Sequence, residues 1–156
     1  MSKNFIPLSS DELIKRINKI PRIELAMLPT PLEYLPNISK DLEIKLYIKR
    51  DDCTGLAFGG NKTRHLEFIM AKTLSNEYDC ILTGASSQSN WCRQMTAAAN
   101  KLNLDTFLVL MHGIKGKRMQ GNFLLYNILG ANVDVIEGEN LEEIPKHLDN
   151  KYNELV

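Results

Sequence analysis

Phe58-Gly59-Gly60-Asn61-Lys62-Thr63-Arg64-His65-Leu66-Glu67-Phe68 is the stretch from which the rest of the chain can be read. Two adjacent glycines let the backbone turn tightly and approach a ligand with no Cβ in the way. A lysine follows where the spacing predicts the start of a helix, because Leu66, Ile69, Met70 and Leu74 stand at i, i+3, i+4 and i+8. An ammonium in the first turn of a helix meets the positive end of the helix field, and partial burial disfavours its charge in the same way. Lys62 is therefore expected to be a nucleophilic amine.

Working outward, the next informative stretch is Ser86-Ser87-Gln88-Ser89-Asn90-Trp91-Cys92-Arg93-Gln94, after the apolar run Cys80-Ile81-Leu82 and Gly84. It packs hydroxyls and amides into the turn before another helix. Unpaired N–H groups at a helix start, joined by Ser and Asn side chains, suit a carboxylate or a phenolic oxygen. One loop offers an amine and the other an anion cradle, a combination that suits a carbonyl cofactor such as pyridoxal phosphate.

The remaining text gives the fold class. A strand near residues 79–84, a helix near 88–102, an apolar strand from Thr106 to Met111, a helix from Asn122 to Leu129 stopped by Gly130, and a strand at Val133, Val135 and Ile136 follow in order. A last helix carries Leu141, Ile144, Leu148 and Tyr152, with Asn140 and Glu143 as its cap and Pro145 in its first turn. This alternation predicts α/β architecture, a parallel sheet with helices on both faces. Residues 113–121 read as a basic loop. Nearer the start, Ser9-Ser10-Asp11-Glu12 resembles a capping box before a helix that Pro21 ends. Four prolines keep residues 21–37 extended, and Ile44, Leu46 and Ile48 alternate with polar residues as a strand with one buried face.

Composition narrows the functions. The chain has 156 residues, 44% of them hydrophobic, enough for a real core. Nineteen basic residues balance nineteen acidic ones with no basic block, which argues against nucleic acid or an anionic membrane as partner. Cys53, Cys80 and Cys92 show no paired spacing, and with no signal-like or long apolar segment a reducing, cytoplasmic setting is expected. His65, His112 and His147 lack metal-ligand spacing, so no metal is expected. Gly55 to Gly60 followed by Asn61-Lys62-Thr63 misses a phosphate-binding GxxxxGKT by one inserted residue, which displaces the lysine and threonine. Ser86, Ser87 and Ser89 have no identifiable histidine base. For Trp91, spacing does not decide between core and pocket wall.

Gly59-Gly60-Asn61-Lys62-x-Arg64-x-Leu66-Glu67-Phe68, followed by Gln88-Ser89-Asn90-x-x-Arg93-Gln94-x-x-Ala97-Ala98, resembles the D-cysteine desulfhydrase and 1-aminocyclopropane-1-carboxylate deaminase family. These are pyridoxal-phosphate enzymes of the tryptophan synthase β-chain type of fold. Thr30-Pro31-Leu32, residues 47–52 and Gly121-Asn122-x-Leu124-Leu125 extend the likeness from about Leu28 to Gly138. The resemblance implies that Lys62 holds pyridoxal 5'-phosphate and moves protons at the substrate Cα. It implies that Asn90 bonds the cofactor's ring hydroxyl, that Ser89 and neighbouring amides handle the substrate carboxylate and assist catalysis, and that Asn61 and His65 lie beside the cofactor. Trp91 stands where relatives have His or Gln, so it is expected to bear on substrate choice; His65 stands where the deaminases have lysine near the cofactor phosphate.

On this resemblance residues 1–64 correspond to the opening of the large domain and residues 65–156 to the small α/β domain, incomplete at its C-terminal side. The family's glycine-rich phosphate loop and pyridine-nitrogen contacts fall outside the sequence. The implied function is the N-terminal portion of a lyase or deaminase that turns a small amino acid into a 2-oxo acid and ammonia, inactive without the second half. The chain would then be either a truncated gene product or one polypeptide of a split enzyme whose partner chain carries that half, a homo-oligomer being the other expectation for assembly. The alternative is a non-catalytic α/β binding or interaction module derived from the same fold.

Overall fold

Three parallel strands carry the molecule. In the computed structural model, which describes residues 7–112, 118–138 and 140–156, β3 (Cys80–Ser86), β4 (Asp105–Met111) and β5 (Asn132–Ile136) lie side by side in that order. Cys80 pairs with Asp105 and Phe107 with Asn132, so all three strands end together at Ser86, Met111 and Ile136. Successive side chains on a strand point to opposite faces. Ala85, Leu108, Leu110 and Val133 accordingly pack with Cys92, Phe123 and Tyr126, from α4 (Asn90–Lys101) and α5 (Gly121–Ile128). The other face takes α6 (Ile144–Leu155): a Cβ on Gly84 would lie 2.5 Å from Ile144 Cγ2, and Lys151 reaches Asp134 at 2.8 Å. Helices therefore cover both faces, as the alternation predicts.

A second cluster joins α3 (Lys62–Ser75) to the outer side of α4, with Leu66, Met70, Met95, Ala98, Ala99 and Leu104 as its buried members. Leu25 from the opening segment completes it. That segment contains α1 (Ser10–Ile17), capped by Ser9, whose hydroxyl accepts from Glu12 N at 3.2 Å. The helix stops at Ile17, four residues before Pro21, with Asn18 as its C-cap. None of its residues is buried. The short α2 (Pro36–Asp41) connects two strands, β1 (Leu32–Tyr34) and β2 (Tyr47–Lys49), which pair antiparallel with Tyr34 opposite Tyr47.

This ribbon refines one expectation and corrects another. Strand β1 lies within the proline-rich stretch, where the sequence suggests only extended chain. Strand β2 spans three residues and has no buried face, because no layer packs on the ribbon among the described residues. At the other end, Asn140 caps a short 3-10 turn over Leu141–Glu143 by accepting from Glu142 N, and the helix proper starts at Ile144 with Pro145 in its first turn, where a missing N–H costs nothing. Of the basic loop, residues 113–117 lie outside the described residues. No helix among the described residues is long and apolar enough to cross a membrane.

Candidate active site

The glycine pair is built into a knot before α3. Gly60 N donates to Asp51 O and to Thr54 Oγ1, both at 2.9 Å, and the fully buried Thr54 hydroxyl lies 3.0 Å from Gly60 O. Gly59 adopts φ +71°, and a Cβ there would sit 1.8 Å from Asp52 O. No side chain fits that turn. Asn61, at the N-cap position, makes no side-chain cap bond. The cap comes instead from α4: buried Gln94 accepts from Thr63 N at 2.9 Å and from Thr63 Oγ1 at 2.8 Å, while its Nε2 donates to Asn90 O at 3.3 Å. A Cβ on Gly60 would come within 2.4 Å of that Nε2. One glutamine thus joins the starts of α3 and α4, bringing the Lys62 and Asn90 positions into neighbouring first turns.

Lys62 is the first residue of α3, half-buried, and its amine contacts no hydrogen-bond acceptor or carboxylate among the described residues. His65 follows at i+3, on the same side of the helix, and is exposed, as is Asn61. Ser89 caps α4: its Oγ accepts from Cys92 N at 3.3 Å, which leaves the hydroxyl hydrogen unspent. The amides of Asn90 and Trp91, in the first turn of α4, find no acceptor among the described residues. Tyr126 fixes this turn by donating to Ser89 O at 2.9 Å; burial pushes its phenol well above the ordinary range, so it remains a neutral donor. Cys92 beneath is fully buried, and its thiol is pushed up to about 11 by burial, which keeps it a protonated core residue. The Trp91 ring packs against both apolar clusters, and its Nε1 donates to Thr83 Oγ1 at 3.2 Å. Its indole N–H is occupied within the protein.

Two further links hold the opening segment onto this core. Glu67, 1% exposed, accepts from Leu25 N at 3.0 Å, Ala26 N at 2.9 Å and Arg22 Nε at 2.8 Å. Arg64 forks onto Asp51, at 2.9 and 2.7 Å, and reaches Thr30 Oγ1 at 3.0 Å. The Arg64 guanidinium holds the Asp51 carboxyl below the usual carboxylate range. Sequence reasoning assigns no role to Gln94 or Glu67, although both lie within the two motifs. The available signal was a polar residue on an apolar helix face: Gln94 shares the face of Trp91, Met95 and Ala98, and Glu67 that of Thr63, Met70 and Ala71. No group of three or more His, Cys, Asp and Glu suited to a metal ion occurs among the described residues.

Comparison with known proteins bears on this arrangement. A family model described as pyridoxal-phosphate dependent enzyme matches residues 23–154. A putative 1-aminocyclopropane-1-carboxylate deaminase of Pyrococcus horikoshii is 41% identical over 138 residues, covering 88% of this chain and 41% of that protein. A D-cysteine desulfhydrase of Klebsiella pneumoniae is 37% identical over 145 residues, covering 87% of this chain and 44% of its own length. The crystal structure of an ACC deaminase homologue superimposes with a TM-score of 0.83 at 40% identity, over 92% of this chain and 43% of that one. The threonine deaminase isoform 2 of Solanum lycopersicum, at 23% identity and a TM-score of 0.68, shares the fold. The chain spans about two fifths of the length of the relatives it matches.

Proposed function

The chain belongs to the pyridoxal-phosphate-dependent enzyme family, and on that premise we propose that it supplies the lysine-bearing side of an active site that removes ammonia from a small amino acid. Pyridoxal 5'-phosphate is the cofactor of the family. The observation that carries the reading is the coupling of the starts of α3 and α4 through Gln94, which brings an unpaired amine and a set of unspent donors into adjacent turns.

The donor set fits the cofactor. Lys62 offers a primary amine to its aldehyde, Asn90 an amide donor to its ring oxygen, and the close-packed Gly59-Gly60 turn leaves no Cβ in the way. Bound there, the cofactor supplies a carbonyl for the amine and a ring that takes up electrons released at the substrate Cα. Lys62 holds it and moves the proton at Cα. Ser89, with a free hydroxyl hydrogen, and the unpaired amides of Asn90 and Trp91 receive the substrate carboxylate. Asn61 and His65 flank the amine on the cofactor side. Trp91 acts on substrate choice through shape, since its N–H is already bonded to Thr83. The products are a 2-oxo acid and ammonia, joined by hydrogen sulfide where the substrate is D-cysteine; D-cysteine and 1-aminocyclopropane-1-carboxylate are the substrates to try first.

Residues 1–64 are assigned to the large domain and residues 65–156 to the small one. The remaining contacts to cofactor phosphate and ring nitrogen come from sequence of the kind that occupies the other three fifths of the relatives, in the same polypeptide or in a partner. The setting is reducing and cytoplasmic, in keeping with three unpaired cysteines. A second reading, a non-catalytic binding module, draws support from exposed apolar side chains such as Met27 and Phe58.

Titration of the purified chain with pyridoxal phosphate, beside Lys62→Ala, decides between these. A Lys62-dependent absorbance change, with no release of 2-oxo acid from either amino acid until the complementary sequence is supplied, is the expected outcome. An absorbance change that survives Lys62→Ala ends the catalytic reading and leaves the binding module.

A further inference from the structure

Gly121 opens α5 at φ +56°, so close to the turn before α4 that a Cβ would lie 2.6 Å from Gln88 Oε1. The next residue, Asn122, is thereby set against that turn, and its bonds fix the orientation of its amide. Its Nδ2 lies 2.8 Å from Gln88 O, and a backbone carbonyl only accepts. Its Oδ1 lies 3.3 Å from Arg93 Nη1, and a guanidinium only donates. Its backbone N–H donates to Gln88 Oε1 at 3.0 Å, which anchors the residue on the same turn. Nitrogen and oxygen of the Asn122 amide are thus assigned by partners that leave no choice.

The consequence falls on Asn90. The Asn90 atom 3.0 Å from Asn122 Nδ2 faces a donor, so it must be the carbonyl oxygen Oδ1. The Asn90 NH2 is then the free end, and it donates to no described residue. Arg93 ties this to the other loop, because its Nη2 donates to Gly59 O at 2.9 Å while Nη1 holds Asn122.

We propose that Asn122 is a positioning residue: it locks Asn90 as a hydrogen-bond donor, so that the site selects the anionic form of the cofactor's ring oxygen. This rests on the reading of Asn90 as the group that meets that oxygen. An Asn90 turned the other way would present an acceptor, which only a protonated hydroxyl could meet. A fixed donor favours the negatively charged oxygen, and a donor bond to a charged acceptor is among the stronger ones.

Asn122→Asp is the test. A carboxylate keeps the Arg93 partner but cannot donate to Gln88 O or to Asn90, so Asn90 turns its NH2 inward. Affinity for pyridoxal phosphate, read as Lys62-dependent absorbance, is expected to fall about tenfold, the worth of one hydrogen bond to a charged group. Affinity for the analogue whose ring hydroxyl is methylated is expected to stay unchanged, because that oxygen carries no negative charge. Equal losses for both aldehydes, or no loss for either, overturn the proposal. A wild-type chain that forms no Lys62-dependent adduct shows the failure of the underlying cofactor reading before any Asn122 variant is compared. The orientation is also tested without cofactor, by side-chain amide exchange in nuclear magnetic resonance of the free chain. Slow exchange at the Asn122 NH2 beside fast exchange at the Asn90 NH2, with the Asn90 signal slowed by Asn122→Asp, is the expected pattern. Protection of the Asn90 NH2 in the wild type overturns the proposal on its own.

Discussion

Tyr126 and Phe58 stand at opposite ends of a contrast within the molecule. The first is fully buried between sheet and helix, and the second is 77% exposed on the turn before the glycine pair. Around Tyr126 the strands and α4, α5 and α6 fill their own interior: Leu108, Leu110 and Met111 are each exposed by 1% or less. In the opening segment Met27, Leu32, Ile44 and Ile48 are exposed as Phe58 is, and an open groove of about 460 Å³ is lined by Ile17, Ile20, Arg22 and Phe68. The sheet unit is held by apolar burial. The opening segment has little apolar packing beyond Leu25, Ile23 and Leu56 and is held largely by polar bonds, to Glu67 and between Asp51 and Arg64. Stability is therefore uneven along the chain, and the segment is the part that opens first.

Removing a polar latch breaks that contrast most sharply. Glu67→Ala strands the N–H groups of Leu25 and Ala26 and leaves Arg22 unpaired, at a cost of about 3 kcal/mol, since the carboxylate is buried while Arg22 is partly solvated. Hydrogen exchange at Leu25 and Ala26 should accelerate roughly a hundredfold, with Leu108 in β4 unchanged. Equal acceleration in the sheet would show that the two regions open as one. Gln94→Met acts at the junction, stripping Thr63 N and Oγ1 of their acceptor. Urea denaturation should show a loss of about 2 kcal/mol, accompanied by weaker pyridoxal phosphate uptake at Lys62.

Asp51 tests the second latch through pH. Its carboxyl is held below its ordinary value of 3.8 by Arg64 first, with Thr30 also contributing. A lowered folded-state value means stability that is full above the ordinary value and lost as the pH falls through the lowered one. The advantage of wild type over Asp51→Asn, about 1 kcal/mol at neutral pH, should hold down to about pH 3.8 and fade progressively as the pH falls further, through the lowered value. An advantage that grows on acidification contradicts the assignment. The mildest probe leaves stability untouched: Cys53 is exposed, whereas Cys92 is buried with its thiol pushed up to about 11. Alkylation near pH 8 should be faster at Cys53 by more than about a hundredfold.

The same contrast explains what the residues could reveal in advance. Strands β3 to β5 and helices α4 and α5 lie within about two residues of where apolar runs and helical spacing put them, because packing between sheet and helices writes a period into the sequence. Strand β1 is three residues in a proline-rich stretch, defined by pairing with Tyr47–Lys49 rather than by a pattern of its own. Lys62, Ser89 and Asn90 were legible as an amine and a donor cluster next to helix starts. The supports were not: Gln94 meets Thr63 across 31 positions, Glu67 meets Leu25 across 42, and Asn122 meets Asn90 across 32. A side chain's partner at such separations is set by packing, which local spacing does not encode.

The account stands or falls on the amine at the start of α3. Pyridoxal phosphate reduced onto the purified chain with borohydride, followed by peptide mapping, reports which lysine holds it. The account predicts saturable modification of Lys62 at concentrations that leave Lys72 and Lys101 untouched, lost in Lys62→Ala. Even labelling of all three, with Lys62 no more reactive than the rest, would contradict it.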